Sequence, residues 1–209
     1  MVGATAGGLE TAASIRREAA RLFAVHGYEA TSLREIAASV GIKVGSLYNH
    51  ISSKEELLLD VMGGIMDDLL AQLDQALSGV IDPVDRLIAL MDCHIRFHAE
   101  RAQETFIGNS ELRSLPPEAR ATITAKRAEY RGRIETLIRE AHQSTESPLL
   151  NVRLHAFSII AIGTHVSGWY RPDGGMSLPQ ITSTYTKIVL RSLAVIGADA
   201  RVDAVLGTD

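Results

Sequence analysis

The sequence is poor in the residues on which disulfide-bonded and all-β proteins rely. It contains a single cysteine, Cys93, so an internal disulfide is excluded, and only 5% of its residues are aromatic. Alternating runs of Val, Ile and Thr, which are typical of half-buried strands, are hard to find. Since 46% of the 209 residues are hydrophobic, the chain can still bury a sizeable core. We therefore expect an all-α fold in which a small module is joined to a larger one.

Targeting and membrane segments are also missing from the sequence pattern. The first residues, MVGATAGGLE, lack the basic region and the apolar core of a secretory signal. The longest uncharged run, residues 154–170, is short for a bilayer span and contains several polar side chains. We expect a cytoplasmic protein with no membrane partner, in which this run forms a helix buried in an interface.

The charge of the chain gives only weak support for a nucleic-acid partner. The net charge is -4, and residues 1–56 hold six basic and six acidic side chains, so the acidic excess lies in the rest of the chain. The N-terminal segment is thus the less acidic one. Affinity for phosphate depends on where the cations point and not on the total charge.

An amphipathic helix is predicted near the N-terminus. Gly27 stands where a left-handed C-terminal cap belongs, and the apolar residues before it recur at the helical spacing i, i+4, i+7, i+8, namely Ile15, Ala19, Leu22 and Phe23. The pattern predicts a first helix over residues 11–26.

Two short helical segments follow. Ser32 and Glu35 have the spacing of a capping box, which predicts a second helix that runs to Val40 and ends at Gly41. A third segment covers residues 44–51. A second capping box, at residues 53–56, predicts the start of a long fourth helix that reaches about residue 77.

The remaining chain is a series of helical blocks separated by Pro and Gly. Helix starts are predicted at Asp82-Pro83, at Pro116-Pro117 and at residues 177–180, and residues 171–175 have the composition of a turn. The helices expected there cover about residues 83–101, 104–112, 117–144, 154–170 and 178–196. The whole chain is thus expected to contain about nine helices.

The first three helical segments have the arrangement of a helix-turn-helix. Two short helices flank a Gly-containing turn and pack on an amphipathic helix, and in such motifs the second short helix enters the DNA major groove. Leu47 and Ile51 are expected to point to the small core. The residues expected to contact bases or phosphates lie at the start of the second helix, in the third segment or beside that segment: Ser32, Lys43, Val44, Gly45, Ser46, Tyr48, Asn49, His50 and Lys54.

A longer signature surrounds these residues. It comprises Ala19-Ala20, Leu22-Phe23, Gly27-Tyr28, Thr31-Ser32-Leu33, Ile36-Ala37, the unbroken run from Gly41 to Ile51, Lys54-Glu55 and Leu57. This set resembles the DNA-binding signature of the TetR family. Because the match spans about forty residues at fixed spacing without a gap, the signal is specific.

Two positions depart from the family pattern. Lys43 stands where the family usually has Ser or Thr, which removes a side-chain cap from the third helix, a loss of ~1 kcal/mol, and offers a phosphate contact in its place. Ile51 replaces the usual Phe and keeps an apolar side chain of smaller volume. We expect no change of fold from this second departure.

The resemblance implies a transcriptional repressor that is not an enzyme and needs no cofactor. It implies a DNA-binding domain over residues 1–56 and a ligand-binding and dimerisation domain over residues 57–209, which bind a near-palindromic operator in double-stranded DNA as a homodimer. The resemblance also implies that the last two predicted helices pair with those of a second copy, and composition agrees, since they are the most apolar helices and would otherwise be exposed. The residues expected in this interface are Phe157, Ile160, Ile181 and Ile188.

The effector is less well defined. Residues 97–101, 109–115 and 169–175 are similar to segments of TetR regulators of lipid, fatty-acid or steroid catabolism, which implies a small hydrophobic effector such as an acyl-CoA thioester. A drug-like molecule that controls an efflux operon is the alternative, and purely structural roles for these segments stay open. The side chains expected to line the pocket are Met62, Met66, Leu69, Phe97, Phe106, Tyr130, Phe157 and Trp169.

Enzymatic motifs are weak in this sequence. No Gly-x-Ser-x-Gly, Gly-x-Gly-x-x-Gly or Cys-x-x-Cys pattern occurs in a suitable context. His94 and His98, with Cys93 beside them, can offer two metal ligands on one helix face, but spacing identifies no third. We favour a packed histidine pair and predict no metal site. A small-molecule hydrolase or a metal enzyme is the alternative from another class.

Gly63 and Gly64 are adjacent inside the predicted fourth helix. Each costs roughly 1 kcal/mol relative to alanine in a helix interior. Two interpretations are open: close packing against a neighbouring helix, or a soft point at which effector binding tilts the helix.

Overall fold

The computed structural model describes residues 6–143, 145 and 147–207, and this part of the chain is helical without any strand. The prediction of an all-α fold is confirmed. The helices are α1 Ala6–His26, α2 Leu33–Val40, α3 Val44–Leu47, α4 Lys54–Leu77, α5 Pro83–Glu100, α6 Ala102–Ser110, a 3₁₀ turn Glu111–Ser114, α7 Pro117–His142, α8 Val152–Trp169, α9 Leu178–Ser192 and α10 Ala198–Leu206.

The described helices fall into two compact units. The first comprises the chain up to Asp67 together with residues 103–126, and the second comprises residues 68–102 and the chain from Arg127 onward. The division passes inside α4 and inside α7. The functional boundary between residues 56 and 57 stays a prediction.

The described residues contain ten α-helices, so the expected number of about nine was too low. The sequence pattern predicts that the last helix extends to residue 196. In the structure, α9 ends at Ser192, because Ala194 takes a left-handed conformation with φ of 56°. Gly197, with φ of 69°, precedes the additional helix α10. Arg201 in α10 forms ion pairs with Asp82 and, at 2.7 Å, with Asp85 at the start of α5. These contacts are distant in sequence, so a local pattern does not reveal them.

The first unit is organised around one apolar cluster. The stripe predicted for α1 is buried, and Leu47 and Ile51 are 0% and 5% exposed, as the sequence pattern indicated. α2, α4, α6, the 3₁₀ turn region and α7 also contribute. The buried members of the cluster are Ile15, Ala19, Leu22, Phe23, Tyr28, Ile36, Ala37, Leu47, Ile51, Leu57, Leu58, Val61, Met62, Ile107, Leu115 and Ile123.

In the second unit α5 packs on α8 and α9, and α10 packs on α9 and α5. His94 on α5 is fully buried, and its ring joins three helices. Nδ1 lies 2.9 Å from the Tyr130 hydroxyl on α7, and Nε2 lies 3.3 Å from the Ile160 carbonyl on α8. Since a carbonyl only accepts, Nε2 carries the hydrogen and Nδ1 accepts from Tyr130. Burial lowers the pKa of His94 to about 4, so this imidazole is neutral at neutral pH.

The His94 ring reaches α8 only because residue 163 is glycine. A Cβ atom at Gly163 would lie well inside van der Waals contact with Cδ2 and Nε2 of that ring. The ring has no room to retreat, because both of its nitrogens are bonded and its side chain is fully buried. Gly163 is therefore a packing glycine.

Gly63 and Gly64 in α4 have a different environment. Among the described residues, no atom outside the local helix backbone lies within 4 Å of a Cβ built at either position. The close-packing interpretation finds no support in these contacts, whereas the soft-point interpretation stays a prediction.

Along the described residues, no helix combines the length and the apolar character that crossing a bilayer requires.

We predict that Gly163→Ala lowers the free energy of unfolding by about 1 to 3 kcal/mol or more, because the added methyl group overpacks the site against His94. Gly168→Ala is the matched control on the same helix, since a Cβ there meets no described atom. It should be neutral or slightly stabilising. Urea unfolding followed by circular dichroism measures both, and equal stability of the two variants would contradict the packing role of Gly163.

Candidate nucleic-acid interface

The helix that precedes the recognition segment is capped at both ends. At the N-terminus of α2, the Ser32 hydroxyl accepts from the Glu35 backbone N–H at 3.2 Å, and the Glu35 carboxylate accepts from the Ser32 N–H at 2.7 Å. These hydrogen bonds lower the pKa of Glu35. The predicted capping box is thus confirmed. It also engages the Ser32 side chain, which was expected at the DNA, in a local structural contact.

The turn after α2 is a Schellman motif centred on Gly41. Gly41 has φ of 78°, its N–H donates to the Ala38 carbonyl at 3.1 Å, and the Ile42 N–H donates to the Ala37 carbonyl at 3.0 Å. The left-handed conformation, which glycine adopts without strain, directs the chain from α2 into α3.

The recognition segment begins at Lys43, which is the N-cap residue of α3. Its carbonyl accepts from the N–H groups of Ser46 and Leu47 at 2.9 and 3.1 Å. Its side chain makes no capping hydrogen bond among the described residues, as expected for a lysine at this position. α3 itself has only four residues, so the predicted extent to residue 51 was too long. Residues 48–50 form a turn in which the His50 N–H donates to the Leu47 carbonyl at 2.9 Å.

The side chains predicted to face DNA mostly lie at the surface. Leu47 is buried beneath the segment, and the Tyr48 side chain is 54% exposed. Val44 and His50 are half-buried. The exposed members of the predicted set are Ser32, Lys43, Gly45, Ser46, Tyr48 and Asn49. Those from Lys43 to Asn49 present a cation, hydroxyl groups, an amide and an aromatic ring on one short stretch of chain.

Lys54 makes two contacts within the protein. It was expected to reach the DNA backbone, but its Nζ donates to the Glu29 carbonyl at 3.2 Å and lies 4.3 Å from the centre of the Tyr28 ring. The ammonium group is therefore engaged within the protein. The sequence signature contains both Tyr28 and Lys54, but their wide separation along the chain hides the contact.

The second capping box is also modified. The Ser53 hydroxyl accepts from the Glu56 N–H at 3.1 Å, as predicted. The Glu56 carboxylate, however, accepts from the backbone and hydroxyl of Ser52 rather than from the Ser53 backbone. These bonds lower the pKa of Glu56.

The residues predicted for the effector pocket are divided between the two units. Met62 belongs to the apolar cluster of the first unit, where Met66 is half-buried, and Phe106 is 53% exposed. In the second unit, the buried members are Leu69, Phe97 and Tyr130. Phe157 is 44% exposed, and Trp169 lines a cleft of about 620 Å³ together with Met176, Ile181 and Tyr185.

The residues predicted for the dimer interface divide by exposure. On α8, Phe157 is exposed and Ile160 is half-buried. On α9, Ile188 is 50% exposed, whereas Ile181 is only 4% exposed and leaves little surface for a partner. The sequence reasoning did not single out Leu154, which is 62% exposed on the same helix as Phe157.

The histidine pair of α5 is packed. The rings of His94 and His98 meet edge to face with their centres 4.5 Å apart, and His94 uses both ring nitrogens within the protein. In the part of the chain that the structure describes, no group of three or more His, Cys, Asp or Glu side chains is placed to hold a metal ion.

Comparisons with known proteins match both parts of the chain. Residues 15–61 match the family of bacterial regulatory proteins of the tetR type, and residues 80–193 match the tetracyclin repressor-like C-terminal domain. The HTH-type transcriptional repressor KstR2 of Mycobacterium tuberculosis is 30% identical over 182 residues, which cover 86% of this chain and 90% of that protein.

Two solved structures have the same fold. A tetR-family regulatory protein from Rhodococcus RHA1 superposes with a TM-score of 0.81 at 30% identity, covering 88% of this chain and 97% of its own. AibR, in complex with isovaleryl coenzyme A and operator DNA, superposes with a TM-score of 0.77 at 31% identity, covering 87% of this chain and 97% of AibR.

These relatives are transcriptional regulators and not enzymes, so the prediction of a non-enzymatic chain is confirmed. The resemblance found in the sequence is confirmed as well. The chain belongs to the TetR family of bacterial transcriptional regulators.

Proposed function

We propose that this chain is a homodimeric repressor that binds a near-palindromic operator through α3 and the following turn and releases it on binding a small hydrophobic effector. The effector class that we favour is an acyl-CoA thioester. The DNA-binding part of the proposal rests on one observation. The polar and aromatic side chains around Tyr48 are exposed, whereas Leu47 beneath them is buried and the preceding helix α2 is capped.

The chemistry of α3 suits a major groove. Lys43 and Ser46 supply a cation and a hydroxyl for phosphates or base edges, and the amide of Asn49 can pair with adenine. Gly45 has no side chain, so the backbone can approach the DNA closely. The Tyr48 ring and hydroxyl suit a thymine methyl group and a phosphate.

The apolar surface of α8 and α9 supports the dimer. Leu154, Phe157 and Ile188 expose large apolar side chains that a monomer would leave in water. An interface between two copies of α8 and α9 would cover them, and the resulting twofold axis would match a palindromic operator. Recognition helices in such dimers lie about 34–36 Å apart, or a multiple of this distance.

The support for the effector class comes from the relatives. AibR was crystallised with isovaleryl coenzyme A and operator DNA, and the M. tuberculosis KstR2 structure is described as a ketosteroid transcriptional regulator. A panel of acyl-CoA thioesters that includes isovaleryl coenzyme A, tested for operator release, examines this class directly. Release by drug-like molecules alone would favour the efflux alternative.

Tyr48→Ala should weaken operator binding by about 1 to 3 kcal/mol, because it removes the largest exposed contact of the recognition segment. Fluorescence anisotropy with DNA from the region flanking the gene measures this change. Ile81→Ala is a control for the loss of exposed apolar surface, since Ile81 is 90% exposed and precedes α5. An unchanged affinity for Tyr48→Ala would remove α3 from the proposed interface.

Ile188→Asp should convert the dimer to a monomer, because a carboxylate in an apolar interface has no partner and is costly to desolvate. Light scattering at micromolar concentration gives the oligomeric state. Ile81→Asp places the same charge on an exposed loop and should leave the dimer intact. A monomeric parent protein, or a dimeric Ile188→Asp variant, would contradict the α8–α9 interface.

Gly63→Ala combined with Gly64→Ala should reduce the coupling between effector and DNA if α4 bends at these residues. An effector that lowers DNA affinity a hundredfold must bind the two conformations with a difference of about 2.7 kcal/mol. Stiffening α4 should leave effector binding measurable by calorimetry and shrink that hundredfold ratio. Gly132→Ala is the matched control, because Gly132 lies in α7 and a Cβ built there has open space around it. An unaltered ratio in the double variant would refute the hinge.

A further inference from the structure

One side-chain contact connects the two ends of the helix-turn-helix. The Lys54 Nζ and the Glu29 carbonyl oxygen are 3.2 Å apart, although these residues are separated by 25 positions in the chain. α2, the Gly41 turn and α3 all lie between them. The start of the motif and the first residue of α4 are thus joined by a single side chain.

The aromatic side of this contact is rigid. The Tyr28 ring is 4% exposed and packs edge to face on Phe23 at 5.2 Å between ring centres, and Phe23 is itself fully buried. The Tyr28 hydroxyl finds no hydrogen-bond partner among the described residues. Burial, with a smaller effect from nearby acidic side chains, raises the pKa of Tyr28 to about 12, so the ring is neutral. The ring face is therefore the part of Tyr28 that interacts with the ammonium group.

A second hydrogen bond holds the segment that carries Tyr28 and Glu29. The buried Thr31 hydroxyl donates to the Gly27 carbonyl at 2.9 Å and also approaches the Leu22 carbonyl. The chain from Gly27 to Thr31 is consequently attached to the end of α1. Lys54 thus binds to a part of the protein whose position is already fixed.

We propose that Lys54 is a positioning residue that places α3 by binding the Tyr28 ring and the Glu29 carbonyl, and that it is not a DNA phosphate ligand. The proposal rests on the proposed function for its DNA readout. Its physical basis is that α3 is too short to be stable alone and lacks a side-chain N-cap, so its placement depends on the contacts at both ends of the motif. A cation over an aromatic face, combined with a hydrogen bond, provides such a contact.

Salt dependence separates the two roles. A lysine that neutralises a phosphate contributes about 0.9 to the slope of log affinity against log salt concentration. Lys54→Met should weaken operator binding roughly fivefold to thirtyfold with little change of slope, because it removes a cation–π contact and a hydrogen bond inside the protein. Lys43→Met is the matched comparison, since Lys43 is exposed and its side chain makes no capping bond among the described residues. Because the proposed homodimer carries two copies of this lysine, the substitution should reduce the magnitude of the slope by about 1.8.

A double-mutant cycle links Lys54 to Tyr28. Tyr28 is too deeply buried to touch DNA, so Tyr28→Leu affects operator binding only through the protein. If both residues act through one contact, the double variant Lys54→Met plus Tyr28→Leu should bind the operator as tightly as the single variant with the lower affinity. Tyr28→Phe, which keeps the ring, and Lys54→Arg, which keeps a cation that can stack on it, should retain affinity within about threefold.

The experiment is anisotropy titration of full-length variants with operator DNA at several KCl concentrations, with urea unfolding of the same variants. A slope whose magnitude falls by about 1.8 in Lys54→Met, one phosphate contact for each protomer of the dimer, with multiplicative effects in the cycle, would overturn the proposal in favour of a phosphate contact. If the parent protein binds no DNA, the proposed function fails. The urea unfolding midpoints then test the contact without DNA. Non-additive changes of the midpoint in the double variant support a contact between Lys54 and Tyr28, and additive changes overturn it. If Tyr28→Leu does not fold, the slope of Lys54→Met decides.

Discussion

A helix of four residues forms too few internal hydrogen bonds to be stable, so α3 depends on the contacts that surround it. Its one buried side chain, Leu47, packs into the apolar cluster of the first unit, and Ile51 is buried after the next turn. Gly41 sets the direction in which the chain enters from α2. The exposed residues from Lys43 to Asn49 therefore take their orientation from a core that they do not belong to. Sequence specificity in such a protein depends on the packing beneath the polar surface as much as on the surface itself.

The second unit uses a polar contact for a similar purpose. An apolar core alone tolerates small shifts between helices, whereas a buried imidazole with two bonded nitrogens requires one arrangement. The His94 ring satisfies this requirement by contacting the Tyr130 hydroxyl and the Ile160 carbonyl, and Gly163 supplies the space. The neutral form fits this environment because burial disfavours the imidazolium. The relative placement of α5, α7 and α8 is thus specified by hydrogen bonds in addition to shape.

The parts of this structure that depend on local chemistry were predictable from the sequence. The caps at Ser32, Asp82 and Ser177 are formed by side chains that bind backbone groups two or three residues away, and all three were recognised. The helix α10 was missed because Arg201 is held by acids more than a hundred positions earlier, at a distance that no local pattern encodes. The contact of Lys54 with the Tyr28 ring was hidden for the same reason. The effector residues stay a prediction, because an apolar type does not say which way a side chain points, and Phe106 is exposed.

Asp82 uses one carboxylate for two tasks. It caps α5 by accepting from the Val84 N–H at 2.8 Å, and it also accepts from the Arg201 guanidinium, which is the main reason that its pKa is lowered. The start of α5 and the last helix of the described chain are therefore joined through a shared ionised group. Proteolysis between α9 and α10 would thus remove the cation that neutralises a helix cap, together with the buried Val202, rather than trim a dispensable tail. The helix α10 is thus part of the packed structure of the second unit.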